Sequence, residues 1–220
     1  MNAFLQFKTF FTHCSREVFQ DKKSYFKIIF LLVLLGILEP VLSLIGLEGE
    51  GWANILLSIL ITLGTFIVLS QVVLKEKIKK FPITAQSHEL KYFVSTFFLF
   101  NLYYSFLFFF GLVFLIVPGL WVLIYFFMVP FVAVLDDNIE AGYFKRSVEL
   151  VKKNVGLVSI VSLLILALEL ASLLLAPIQN PLMKLIFSLI FSLPDAFLTV
   201  VLTMVSVKVY YFLCEAPSSN

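Results

Sequence analysis

Three carboxylates stand where a carboxylate is costly to keep. Glu39, Glu169 and Asp195 each fall inside, or at the edge of, a long apolar run. An ionised acid in hydrocarbon is unfavourable by several kcal/mol, so such groups face an interior, neutralise or stay near water. Gathered on one cavity, the three would bind a cation or relay protons. Taken singly, they have simpler readings. Asp195 follows Pro194 and Ser192, a pattern that caps a helix start. Glu39 and Glu169 lie near enough to an interface to be hydrated. Glu39 also precedes Pro40, which frees the Gly36 carbonyl and can kink the helix.

The other reactive side chains carry weaker signals. His13 and His88 have no partner at metal-ligand spacing, and Cys14 and Cys214 lie near opposite ends with no CxxC. There is no P-loop, no GxGxxG and no nucleophile–base motif. The expectation is therefore no catalytic residue, no bound cofactor and no metal. Gln71 and Asn101 stand within apolar runs and read as hydrogen-bonding groups between helices.

The elements that must position these groups follow from composition. Of 220 residues, 61% are hydrophobic and 14% charged, and the mean hydropathy is +1.04. Soluble domains carry about 25% charged residues and cannot hide this much apolar surface. The chain needs lipid as its solvent, and a nucleic-acid module is excluded. The fold class expected is all-α: a polytopic membrane bundle of six helices in three hairpins. A spanning helix needs about 20 apolar residues. The spans read as residues 28–45, 53–74, 92–116, 120–135, 155–176 and 193–213. Residues 1–24 form a cytoplasmic amphipathic segment, and 215–220 a cytoplasmic tail. The first segment holds Glu17 and Asp21 and lacks a continuous apolar core, so it does not read as a signal peptide.

Two of those boundaries rest on prolines. The run from Tyr92 to Leu135 would make a helix of about 66 Å, twice the hydrocarbon thickness of about 30 Å. Pro118 and Gly119 are the breaker pair near its middle, and they are expected to form the hairpin turn. Ser192-Leu193-Pro194-Asp195 is expected to start the sixth span, leaving Leu182–Phe191 as a separate short helix.

Basic residues orient the bundle. Fifteen of the 16 Lys and Arg residues fall in the termini, the second connection and the fourth connection, and the remaining one is Lys184. Both termini are therefore expected in the cytoplasm. Each outward-going span follows an amphipathic segment: one with Phe4, Phe7, Phe11, Cys14 and Val18 in a stripe, a shorter one over Ile83–Leu90, and one with Ala141, Phe144, Val148, Val151 and Val155. In the last, Lys145, Arg146, Lys152 and Lys153 occupy the opposite face and are the expected contacts to anionic lipid headgroups.

The stretch Val117-Pro118-Gly119-Leu120-Trp121, then Pro130-Phe131-Val132, Asp136-Asp137, Ala141, Arg146-Ser147 and Leu150-Val151-Lys152 resembles the YciC-like bacterial membrane proteins. It is also similar to the membrane domain beside some glycerophosphodiester phosphodiesterases. The resemblance implies a six-span bacterial inner-membrane protein and adds topology more than function. The leading functional expectation is a non-enzymatic integral protein of envelope or lipid homeostasis, with membrane lipids and an unidentified protein as partners. The alternative is a small transporter or channel that uses Glu39, Glu169 and Asp195.

Overall fold

The computed structural model describes residues 2–45, 52–80, 87–114, 116–136, 142–173 and 180–216, and these are helical almost throughout. In chain order the helices are α1 (Ala3–Gln20), α2 (Lys22–Leu44), α3 (Trp52–Lys80), α4 (Ser87–Phe114), α5 (Ile116–Tyr125), α6 (Val129–Leu135), α7 (Tyr143–Lys153), α8 (Val155–Leu173) and α9 (Pro181–Glu215). Five segments are long and apolar enough to cross a membrane, with α5 and α6 together counting as one. A sixth is reached if the bent pair α7–α8 counts as one.

Helix α9 is the pillar of the bundle, packing against α1, α2, α3 and α8. Its second half is buried almost continuously from Val200 to Val207. The other core residues come from the ends of elements that reach the same level: Tyr25 and Ile28 of α2, Val72 and Val73 of α3, Phe93 and Phe97 of α4, Val132 and Leu135 of α6, Leu157 and Val161 of α8. Starts of some helices meet ends of others, as an up-and-down bundle requires. The packed end is the one that carries α1, α7 and most of the lysines; we call it the basic end. At the far end large apolar side chains stand exposed, among them Leu60, Phe114, Val117 and Ile190.

The structure corrects three boundaries. Helix α4 ends at Phe114 and α5 starts at Ile116, so Pro118 and Gly119 lie in the first turn of α5 rather than in a turn between the two helices. Proline is tolerated there because the first four helical N–H groups have no intrahelical acceptor. Gly119 serves packing rather than turning. A Cβ on it would fall 2.8 Å from the Leu112 backbone nitrogen, and one on Gly111 would fall 2.8 Å from the Gly119 Cα. Two glycines thus let α4 and α5 touch backbone to backbone.

The second correction is at Ser192–Asp195. No helix starts there: α9 is a single helix of 35 residues with Pro194 inside it, opened instead by Asn180, whose side chain accepts from the Leu182 and Met183 amides. The Ser192 hydroxyl bonds back to the Leu189 carbonyl rather than capping. A helix of this length spans about 52 Å, so it outruns the hydrocarbon and carries Lys208 to Glu215 into the basic end.

The third concerns the fourth span, which is broken after Tyr125. Pro130 has no N–H, and its ring would clash with the Phe126 carbonyl in a continuous helix. Val129 therefore bonds to the Phe126 carbonyl, one residue short of helical register. The carbonyls released around the break are taken by other elements. Ser147 of α7 donates to the Tyr125 carbonyl at 2.8 Å, and the Tyr104 hydroxyl of α4 donates to the Leu123 carbonyl at 3.1 Å.

The amphipathic helices also dock differently from a simple interfacial stripe. On α1, Cys14 and Val18 are buried and Phe7 and Phe11 half-buried, all against the bundle, while Phe4 points out. On α7 the buried residues are Ser147, Leu150 and Val151. Helix α8 leaves α7 at 111°, and Asn154 makes the corner: its carbonyl oxygen caps the Leu157 amide and its amide donates to Gln6 of α1. Asp137, Ala141 and Ile83–Gln86 lie outside the described residues, as do the side chain of His88 and residues 217–220 of the tail.

Candidate functional site

The densest set of interacting ionisable groups lies at the basic end, where α1, α2, α3 and α9 meet. Glu76 of α3 is 6% exposed. Its carboxylate accepts from the Tyr25 hydroxyl of α2 at 2.9 Å and from Lys79 at 2.8 Å. Lys79 also donates to Glu17 of α1 and to the Tyr25 oxygen. The other Glu17 oxygen accepts from Lys208 of α9 at 2.7 Å, and the Lys208 ammonium lies 2.9 Å from His13 Nδ1. A second pair, Lys75 with Asp21 at 2.5 Å, closes the other side, and the Lys75 ammonium sits 3.6 Å from the centre of the Tyr25 ring.

This network clamps α1 onto the bundle. Low solvent access strengthens each charge-assisted bond and makes an unpaired charge costly, so the members depend on one another. Burial raises the Glu17 carboxyl, but the bonds from Lys208 and Lys79 outweigh it and hold it below the usual carboxylate range. The bond from Lys75 likewise holds Asp21 low. Cys14 is sealed beneath α1, and burial pushes its thiol up to about 12, which keeps it protonated and unreactive.

Basic residues at this end serve as internal ties. Lys80 pairs with Glu215 at 2.6 Å and covers the Tyr211 ring. Lys77 donates to the Val134 carbonyl at the end of α6. Two of the four residues expected to contact lipid headgroups do the same. Arg146 pairs with Asp136 and Glu149, and Lys153 donates to the Leu213 and Ala216 carbonyls, closing the C-terminus of α9. Lys145 and Lys152 point outward.

The three membrane acids divide into two places. Glu39 of α2 pairs with Lys184 of α9 at 2.9 Å. That joins it to the one lysine on the far side of the bundle. Glu169 of α8 is within electrostatic reach of Asp195 of α9 and of Tyr104 of α4. All three acids are exposed on the helix surfaces. A groove of about 410 Å³ opens between α3 and α4, lined by residues from Ser58 to Phe66 together with Phe98 and Leu102, and none of the acids reaches it. Asn101 bonds to the Phe97 carbonyl on its own helix rather than across to another. Among the described residues no group of three His, Cys, Asp or Glu side chains is arranged to hold a metal ion.

Sequence reasoning missed the basic-end network. Glu76 is one acid in a lysine-rich run, Lys75 to Lys80, and charge counting reads that run as a solvated connection. The available signal was its length: α3 continues to Lys80 with Val72, Val73 and Glu76 all buried on one face.

Compared with known proteins, the chain matches no family model, no curated protein and no solved structure.

Proposed function

We propose that this chain is a non-enzymatic six-span protein of the bacterial inner membrane, with its basic end in the cytoplasm, acting as a scaffold in envelope or lipid homeostasis. One observation carries the reading: the basic end is locked by a continuous core and a tied ionic network, while the far end offers exposed apolar helices to lipid or a partner. A rigid base with an apolar, open far half suits holding a partner or a lipid better than turning one over. The resemblance of Val117–Lys153 to YciC-like proteins supports the location. In the same direction, Ser147 of that motif donates to the Tyr125 carbonyl at the break that precedes Pro130, and Arg146 pairs with Asp136 at the end of α6.

The second reading is transport. It is favoured by the neighbouring Glu169 and Asp195 and by the broken helix, since transporters place sites at interrupted spans. Purification from native membranes, with identification of co-purifying lipids and proteins, separates the two. A stoichiometric protein or lipid that survives Glu169→Gln with Asp195→Asn fits the scaffold. Cation- or proton-driven uptake into vesicles that this double variant abolishes would replace it with transport.

A further inference from the structure

The expected lipid contacts on α7 are half consumed within the protein, since Arg146 and Lys153 turn inward. Those that remain outward, Lys145 and Lys152, share their face with Glu149. The first two turns of α2 are different. Lys22, Lys23 and Lys27 are exposed, and none has an ion-pair partner among the described residues. The nearby acids are already engaged: Asp21 holds Lys75, and Glu17 holds Lys79 and Lys208. Three cations are thus left without local compensation.

Their placement on the helix is ordered. At about 100° per residue, from 3.6 residues per turn, Lys22, Phe26, Phe30, Lys23, Leu34 and Lys27 fall in succession around one half of α2. Phe26, Phe30 and Leu34 are all exposed. Tyr25, Ile28 and Leu32 occupy the other half and are buried against the bundle. The outward half therefore changes along its axis, from cationic in the first turns to aromatic and aliphatic in the next. Phe26 and Phe30 stack with ring centroids 6.2 Å apart, so the apolar stretch begins beside the lysines and continues past them. That is the polarity of a phospholipid read from headgroup to chain.

We propose that this face of α2 binds an anionic phospholipid of the cytoplasmic leaflet. The three lysines take the headgroup phosphate, and the acyl chains lie along Phe26, Phe30 and Leu34. The site rests on the orientation given under Proposed function and names the lipid class that the scaffold would hold. Basic residues at a membrane surface attract anionic lipid, and a cluster adds to that attraction.

The test uses the full chain in detergent, stripped of lipid and titrated with phosphatidylglycerol or phosphatidylcholine, with retained lipid read by native mass spectrometry. Phosphatidylglycerol should be retained in preference to phosphatidylcholine. Lys22→Gln with Lys23→Gln and Lys27→Gln should lower its retention on the order of tenfold, leaving phosphatidylcholine unchanged. Lys145→Gln with Lys152→Gln should leave both unchanged, and excess inorganic phosphate should not displace the lipid. All five side chains are exposed, so unchanged melting temperatures should accompany these variants. Equal retention of the two lipids by the wild type, or a triple variant that binds phosphatidylglycerol normally, overturns the proposal. So does displacement by phosphate alone. The measurement is blind to membrane orientation, so its failure is distinct from failure of the topology, which labelling in cells reports.

Discussion

Removing the Glu76 carboxylate deprives the Tyr25 hydroxyl of its acceptor and Lys79 of one of its two acids, at a site water scarcely reaches. Breaking a buried charged pair typically destabilises by about 3 kcal/mol. Glu76→Ala should therefore lower the melting temperature of the detergent-solubilised protein clearly, and Glu76→Gln, which keeps an acceptor for Tyr25, should lower it less. Glu17 gives a pH dependence. Its carboxyl is held low when folded, so its contribution is full above the ordinary carboxylate range, about 4.3 for Glu. That contribution is lost as pH falls through the folded value. The α1 clamp should weaken in acid and hold at neutral pH, and Glu17→Gln should flatten the acid limb of the stability curve. Cys14 is a built-in reporter because it is sealed beneath α1. In a Cys214→Ser background at neutral pH, a maleimide should modify Cys14 slowly, and markedly faster in Glu17→Gln. Equal rates would mean that apolar packing alone holds α1. The stripe that buries Cys14 was legible in the sequence, but the ionic ties were not. Glu17, Glu76 and Lys208 are far apart along the chain, and charge counting cannot distinguish a lysine facing water from one tied to a distant acid.

At the scale of elements, the long apolar runs correspond to five or six helices able to span a membrane, but several of their ends differ from those expected. Apolar residues surround most of these helices, so no polar face marks where a helix stops. Local breakers then have to decide, and the packing overrules them. Ser192–Asp195 looks like a helix start but lies within α9, because the same helix continues into the buried core from Ala196. Pro118 looks like a turn but opens α5. Pro130, unremarked as a breaker, interrupts the fourth span because side chains of α7 and α4 are in place to take the freed carbonyls. Pro118→Ala should change stability by less than about 1 kcal/mol, since a first-turn proline is replaceable by a good helix former. Gly119→Ala should be more harmful, because its Cβ meets the Leu112 backbone at 2.8 Å. Comparing the two melting curves decides whether turn chemistry or close packing holds the α4–α5 hairpin. Ser147→Ala should cost about 1–2 kcal/mol by leaving the Tyr125 carbonyl without its donor.

For the molecule as a whole, composition specified the solvent, and the lysine distribution specified an asymmetry that the fold makes physical. The end with fifteen of the basic residues is also the packed end, where α9 contributes its buried half. A gathering of the three membrane acids was one reading beside a simpler one for each, and they stand in two places. Glu39 went to Lys184 and Glu169 to the neighbourhood of Asp195, because the six runs carry no information about their order around the bundle. The helices make a multi-pass membrane bundle, with its basic end proposed to face the cytoplasm. Single cysteines placed in a Cys14→Ser, Cys214→Ser background test it most directly, at Ile45 and Asn180 on the far end and at Lys152 on the basic end, with a membrane-impermeant thiol reagent on intact cells. All three positions are exposed. Ile45→Cys and Asn180→Cys should label in intact cells, and Lys152→Cys only after the cells are opened. Labelling of Lys152→Cys in intact cells, with the other two protected, would contradict it.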